Sequence, residues 1–158
     1  MISIPSVKIK KIWKISTYGT SAKFIKEICK HLTAYCLESE KKMKNNPAEI
    51  SINFCTKNEI QQYNSELMNK NKPTDVLTSR LKNNHQDLQG SIFLCLEIIK
   101  EDAQYQNKEY LKHLAHLIIH GTLHLIGYKH YSKEEKQSME AKEIILLSKL
   151  GIKNPYLN

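Results

Sequence analysis

Residues 113–130 read HLAHLIIHGTLHLIGYKH and hold five of the chain's seven histidines. On a helical wheel at about 100° per residue, His113, His116 and His124 fall within about 40° of His120. Most of the positions between them are apolar or small, so the segment predicts a helix that is buried almost all round except for one stripe of imidazoles. Such a stripe is atypical of a core, because charged imidazoles repel one another and neutral ones need hydrogen-bond partners.

A divalent cation would resolve this conflict. His120 and His124, spaced i and i+4, present two ring nitrogens on one side of a helix. Gly127 is expected to take a left-handed conformation that ends the helix and brings His130 round as a third ligand. Three neutral imidazoles leave the fourth tetrahedral position of zinc open, as in catalytic zinc sites. We therefore predict one Zn²⁺ per chain, bound by His120, His124 and His130; the alternative is a chance stripe of packed histidines.

The spacing of these three histidines, H-x3-H-x2-G-x2-H, equals the metal-binding spacing of the metzincin proteases with one departure. Gly121 stands where those proteases have the glutamate that acts as general base. A zinc peptidase is therefore disfavoured. His113 and His116 precede the pair on which the turn closes, so both are predicted to lie outside the ligand set, with His116 near enough to line the pocket.

The rest of the sequence predicts strands alternating with helices. Apolar patterns indicate strands near 7–15, 50–54, 74–79 and 92–96, and polar loops at 41–46, 69–73 and 81–89. Helical spacing, with capping boxes that begin at Thr56 and Ser132, indicates helices over 24–36, 56–67, 108–126 and 133–150. This order predicts an α+β fold in which a small mixed sheet of about four strands packs with helices. The metal site would lie on a buried helix and the turn after it.

The composition fits one domain spanning residues 1–158, with 41% hydrophobic residues. A formal net charge of +8 favours a polyanionic partner such as nucleic acid. Arg80 is the only arginine, so part of the surplus reflects a lysine-biased composition. No stretch approaches the ~20 apolar residues of a membrane span, and we expect a cytoplasmic protein without a membrane partner. Four scattered cysteines without a CxxC pair predict reduced core residues: Cys29, Cys36, Cys55 and Cys95.

The histidine segment closely resembles the signature of one family. His120-Gly-Thr-Leu-His124-Leu-Ile-Gly-Tyr-Lys-His130 is similar to H-G-x-L-H-L-x-G-Y-x-H of the YbeY endoribonucleases, the bacterial rRNA maturation factors. Pro73-Thr-Asp-Val-Leu77 resembles the family's PTDVLSF strand, and Gly90-Ser91-Ile92 takes the place of its Gly-Asp-Ile. Gly151-Ile-Lys-Asn-Pro-Tyr156 resembles its closing G-Y-x-x-P-Y. The resemblance runs from about residue 50 to the C-terminus.

This resemblance implies a compact α+β domain with one zinc ion held by His120, His124 and His130. It implies single-strand-specific endoribonuclease activity in 16S rRNA 3′-end processing and ribosome quality control. The implied partners are single-stranded RNA, rRNA and the small ribosomal subunit. No side chain is assigned as nucleophile or general base: metal-bound water is the expected nucleophile, and attack by an RNA 2′-hydroxyl stays open.

Four departures from the family pattern affect the surroundings of the metal and none of its ligands. Met68 aligns with an arginine that precedes the PTDV strand, Ser91 and Lys129 each replace an aspartate, and Thr78-Ser79 replaces Ser-Phe.

Methionine cannot bind a phosphate through two parallel hydrogen bonds as arginine does. Four cations are therefore candidate RNA contacts, each with a solvated surface cation as the alternative: Lys70, Lys72, Arg80 and Lys129. The departures also keep open a catalytically weakened, metal-stapled module that binds RNA or the ribosome.

Overall fold

The computed structural model describes residues 6–11, 22–40, 48–81 and 88–157. Within these ranges the chain forms four strands and five helices. In chain order they are β1 (Ser6–Lys11), α1 (Ala22–Glu38), β2 (Ala48–Phe54), α2 (Lys57–Met68), β3 (Val76–Arg80), β4 (Leu88–Leu94), α3 (Leu96–Tyr105), α4 (Tyr110–Ile126) and α5 (Lys133–Lys149). The later part of the predicted first strand (residues 12–15), the loop at 41–46 and most of the loop at 81–89 lie outside the described residues.

The four strands form one mixed sheet in the order β1-β2-β4-β3. β2 pairs in parallel with β1 and with β4, whereas β3 runs antiparallel to β4 at the edge. Ile50 lies opposite Gly90 and Ile52 opposite Ile92, which places fully buried side chains at the centre of the sheet. The predicted α+β class and mixed sheet are confirmed.

Helix α4 is the central element of the packing, since it contacts α1, α3, α5 and strands β3 and β4. Two glycines allow this close approach. A Cβ on Gly90 would lie 2.8 Å from Leu125 Cδ2, and one on Gly121 would lie 3.3 Å from Thr78 Cγ2 and 3.4 Å from Val76 Cγ2. Helix α4 therefore rests on the sheet with little space between them, and the histidine stripe is left on another side of the helix.

The end of α4 is set by Gly127, whose φ is 121°. The Gly127 N–H donates to the carbonyl of Leu123 at 3.1 Å, and the Tyr128 N–H donates to the same carbonyl at 3.0 Å. This is the hydrogen-bond pattern of a helix that stops at a glycine with positive φ. The predicted turn at Gly127 is confirmed.

Two local predictions are wrong. Helix α3 was not predicted, because Cys95 precedes it without a side-chain capping bond and its first residues are apolar enough to extend a strand. Strand β4 begins at Leu88, four residues before the predicted 92–96, and ends at Leu94. Its polar start belongs to the sheet because those residues pair in register with β2. The strand predicted at 74–79 is observed at Val76–Arg80, and the helix predicted from 108 begins at Tyr110.

Other predictions hold. The capping box at Thr56 has both of its reciprocal bonds with Glu59, and the Ser132 hydroxyl accepts from the Glu135 N–H. All four cysteines are buried, as predicted. Burial raises the pKa of Cys29 to about 12, as expected of an unreactive thiol. No helix in the described ranges is both long enough and apolar enough to cross a membrane.

We predict that Gly121→Val lowers the free energy of unfolding by about 1–3 kcal/mol, because the added side chain overpacks the contact with Thr78 and Val76. The exposed Ala141 on α5 supplies the control, since Ala141→Val should change stability by no more than about 0.5 kcal/mol. Urea unfolding measures both variants. Equal stability of Gly121→Val and the wild type would contradict the close packing of α4.

Candidate metal centre

Three histidines converge where α4 ends. His120 and His124 lie on the last two turns of the helix, and the Gly127 turn carries His130 back toward them. One ring nitrogen from each lies within 4.8 Å of the others, a set that could hold a metal ion. The ring centroid of His130 lies 5.8 Å from that of His120 and 4.7 Å from that of His124. The structure thus brings together the three predicted ligands.

Hydrogen bonds determine which nitrogen of His120 and His124 is free. His124 Nδ1 lies 3.0 Å from the carbonyl oxygen of Tyr128, and a carbonyl only accepts. His120 Nδ1 lies 2.6 Å from Oε1 of Glu143. Each Nδ1 therefore carries the hydrogen, and each Nε2 presents a lone pair.

The two Nε2 atoms are 3.0 Å apart. Two lone pairs at this distance repel each other unless a positive charge lies between them. Tetrahedral zinc, with Zn–N distances of about 2.0–2.1 Å, separates two such nitrogens by about 3.3 Å. Burial, followed by the neighbouring His120 and His130, lowers the pKa of His124 to about 4, so the neutral, ligating form prevails at neutral pH. The donor set and its protonation fit a divalent metal ion.

Glu143 on α5 is the buried carboxylate behind this centre, with 0% exposure. One oxygen accepts from His120, and the other bonds His116 Nε2 at 2.9 Å and accepts from the Tyr156 hydroxyl. Burial alone would raise the pKa of Glu143, but the hydrogen bonds from His116, His120 and Tyr156 outweigh it and lower that pKa to about 2. The carboxylate is therefore ionised, and such a partner orients a ligating histidine and raises its basicity.

Sequence reasoning missed Glu143, although a signal was present. Met139, Leu146 and Leu147 are buried on α5 at helical spacing, and Glu143 occupies the position between them. A single acid in an otherwise apolar stripe is costly to bury without a partner. A glutamate at this position next to a histidine-rich helix therefore indicates a carboxylate that orients a metal-binding histidine.

His113 and His116 lie outside the group of three ligands. His116 hydrogen-bonds Glu143 and Tyr156, whereas the ring nitrogens of buried His113 have no hydrogen-bond partner among the described residues. The two side chains line a cavity of about 280 Å³ between the start of α4 and the segment 152–157.

The four candidate RNA contacts occupy three separate segments. Lys70 and Lys72 are exposed in the loop between α2 and β3. Arg80 ends β3, and its Nη1 donates to the carbonyl of Leu125 at 3.1 Å, so it ties the sheet edge to the last turn of α4. Lys129 is exposed directly before His130.

Two of the positions that depart from the family pattern, Met68 and Ser91, lie in different elements of the fold. Met68 is the last residue of α2 and is 47% exposed. Ser91 is half-buried on β4 and lines a groove with Ser51, Ser79 and Arg80.

Gly121 stands where zinc peptidases have their general-base glutamate. It has no side chain, and a Cβ at this position would face β3. The carboxylate that a zinc peptidase needs is therefore missing from this turn.

Comparisons with known proteins agree with one another. The family model described as Endoribonuclease YbeY matches residues 11–151. The chain is 43% identical over 116 residues to the Endoribonuclease YbeY of Colwellia psychrerythraea, which covers 72% of this chain and 75% of the relative. It is 38% identical over 117 residues to the Endoribonuclease YbeY of Francisella tularensis subsp. tularensis, which covers 70% and 72%. The solution structure of TM1509 from Thermotoga maritima matches with a TM-score of 0.57 and 23% identity, covers 96% of this chain and 99% of that one, and supports the fold.

We predict that Glu143→Gln weakens zinc binding about 10- to 100-fold, because the isosteric amide removes the negative charge that raises the basicity of His120. Titration of the metal-free chain against a chromophoric zinc chelator measures the affinity. Glu134→Gln on the same helix makes the same charge change at an exposed position and should leave the affinity unchanged. Equal affinities for Glu143→Gln and Glu134→Gln would contradict the role of Glu143.

Proposed function

This chain belongs to the YbeY endoribonuclease family, and from that premise we propose that it is a zinc-dependent endoribonuclease that cleaves single-stranded RNA. Its proposed role is 16S rRNA 3′-end maturation and ribosome quality control in the cytoplasm, with the small ribosomal subunit as partner. The observation that supports it most is the convergence of three imidazoles in which two Nε2 lone pairs face each other at 3.0 Å.

The donor set favours zinc as the metal. His120, His124 and His130 offer three imidazole nitrogens, and imidazole is a preferred zinc ligand. Zinc held in this way supplies Lewis acidity and makes water a better nucleophile at neutral pH. Three protein ligands are the number found in catalytic zinc sites, whereas structural sites have four.

The side chains around the centre hold and orient the ligands. Glu143 orients His120, and the Tyr128 carbonyl orients His124. Glu143 is fully buried and bonded to His116, His120 and Tyr156, so it is a positioning residue and not the proton acceptor of the reaction.

The open side of the centre suits a polymeric anion. His130 is exposed, and Lys129 next to it places a positive charge at the rim. Lys70 and Lys72 are two further exposed cations, in the loop before β3. Together with the net charge of +8, these cations favour approach of an RNA backbone.

A second candidate function is a metal-stapled module that binds RNA or the ribosome without efficient cleavage. The observation that favours it is Met68, an exposed methionine in the place of a phosphate-binding arginine. Binding would then rest on the lysines, and the metal would serve stability. The enzyme remains the leading proposal because the three-histidine centre keeps every ligand.

We expect His124→Ala to reduce cleavage of a labelled single-stranded RNA by about 100-fold or more and to remove the zinc ion of the three-histidine centre. His31→Ala is the control, because His31 is exposed on α1 and belongs to no metal-binding group of the described chain. Gel assays with both variants, together with zinc analysis, measure the effect. Full cleavage by a His124→Ala protein whose three-histidine centre holds no zinc would refute the proposed enzyme.

We expect Met68→Arg to raise RNA cleavage about threefold to tenfold at unchanged zinc content, because arginine adds a bidentate donor for phosphate. The control is Leu67→Arg, which adds the same charge at the neighbouring exposed position of α2. Initial rates on the same RNA compare the three proteins. If wild type and Met68→Arg are both folded, metal-loaded and inert, the binding module replaces the enzyme as the best reading.

A further inference from the structure

A second group of metal-ligating side chains lies outside the three-histidine centre. Asp75 precedes β3, Asp102 lies on α3 and His113 lies on the first turn of α4. One ligand atom of each lies within 4.8 Å of the others. No hydrogen bond of the described chain joins these residues directly to His120, His124 or His130, so the two groups share no side chain.

His113 points to a ligand in this second group. The residue is only 6% exposed, and neither ring nitrogen has a hydrogen-bond partner within the part of the chain that the structure describes. An imidazole buried without partners destabilises the fold, because it loses its hydrogen bonds to water and gains none in return. One of its nitrogens faces the two carboxylates at a distance that fits a shared ion better than a direct bond, because no bond between His113 and either aspartate is formed.

Among the described residues, no ion pair is formed by Asp75 or Asp102 with a lysine, arginine or histidine. Burial, and then the charges of Asp75 and Glu101, raise the pKa of Asp102. His113 does not supply a positive charge to balance the two carboxylates. Burial, followed by the charges of Lys108 and His116, lowers the pKa of His113, although Asp75 acts to raise it. The group therefore combines a neutral imidazole with two carboxylates that repel each other, which is the donor set of a divalent metal site.

We propose that Asp75, Asp102 and His113 form a second divalent-cation site, which takes a first-row transition metal ion such as Zn²⁺ or Mn²⁺. The imidazole favours such ions over Mg²⁺ and Ca²⁺, which prefer ligand sets made only of oxygen. The ion would have a structural role that goes beyond the proposed ribonuclease activity.

The position of Asp75 explains what the ion stabilises. The Asp75 carbonyl accepts from the Cys95 N–H at 3.0 Å, and its carboxylate accepts from the Val76 N–H at 2.7 Å. Asp75 thus already joins the start of edge strand β3 to the end of β4. An ion shared with Asp102 and His113 would link this corner of the sheet to α3 and α4.

The test is metal stoichiometry in the tag-free, full-length chain. After chelation, the protein is titrated with Co²⁺ and Zn²⁺, and bound metal is counted by elemental analysis after gel filtration. We expect two equivalents in the wild type. The double variant His124→Ala/His130→Ala should keep one equivalent and its metal-dependent rise in Tm, a result that does not depend on any activity.

Substitution of the second group gives the complementary result. Asp102→Asn is expected to bind one equivalent and to keep the absorption bands of Co²⁺ in the three-histidine centre. The control is Glu97→Gln, which removes a carboxylate from an exposed position of the same helix and should still bind two metal equivalents.

A wild type that binds only one equivalent, or a double variant of the first centre that binds none, would overturn this second site. Neither result would contradict the proposed ribonuclease activity, which is tested separately by the effect of His124→Ala on RNA cleavage. If Asp102→Asn fails to fold, the stoichiometries of the wild type and the double variant still decide the question.

Discussion

The hydrogen bonds to the two Nδ1 atoms of His120 and His124 are the interaction on which the centre depends. The Glu143 carboxylate and the Tyr128 carbonyl accept these bonds, and both Nε2 lone pairs are thereby directed at one point. Each acceptor has a separate structural origin. The carbonyl is available because Gly127 turns the chain, and the carboxylate is available because α5 packs on α4. The turn at Gly127 and the packing of α5 on α4 therefore supply the two hydrogen-bond acceptors that orient these imidazoles.

This arrangement places an ionised carboxylate in the core, which is costly in isolation. Glu143 is tolerated there because three donors surround it: His120, His116 and Tyr156. Burial and the nearby carboxylate raise the pKa of Tyr156, so its hydroxyl stays protonated and donates. Tyr156 comes from the segment after α5, so the C-terminal residues take part in holding the metal-binding helix.

The parts of this structure that could be predicted from the sequence are those determined by short-range spacing. The i, i+4 histidines, the glycine that ends α4 and the capping box at Thr56 each depend on residues a few positions apart. Glu143 could not be placed in the same way, since its partner His120 lies 23 residues earlier on another helix. The predicted start of β4 was four residues too late, because the polar beginning of this strand is held by pairing with β2. Helix α3 was missed because Cys95 gives no capping bond. Long-range pairing decided the first two of these cases, and the missing capping signal decided the third.

The side chains that orient the three histidines and the positions that differ from the family pattern lie in different parts of the centre. The hydrogen bonds that orient the metal ligands are buried or half-buried, and they involve Glu143, Tyr128 and Tyr156. The positions that differ from the family pattern at Met68 and Lys129 are exposed and make none of these bonds. Changes at the rim alter the charge that meets a phosphate without altering the geometry of the three imidazoles. Under the proposed function, metal binding would therefore depend on the buried side chains and catalytic efficiency on the exposed ones.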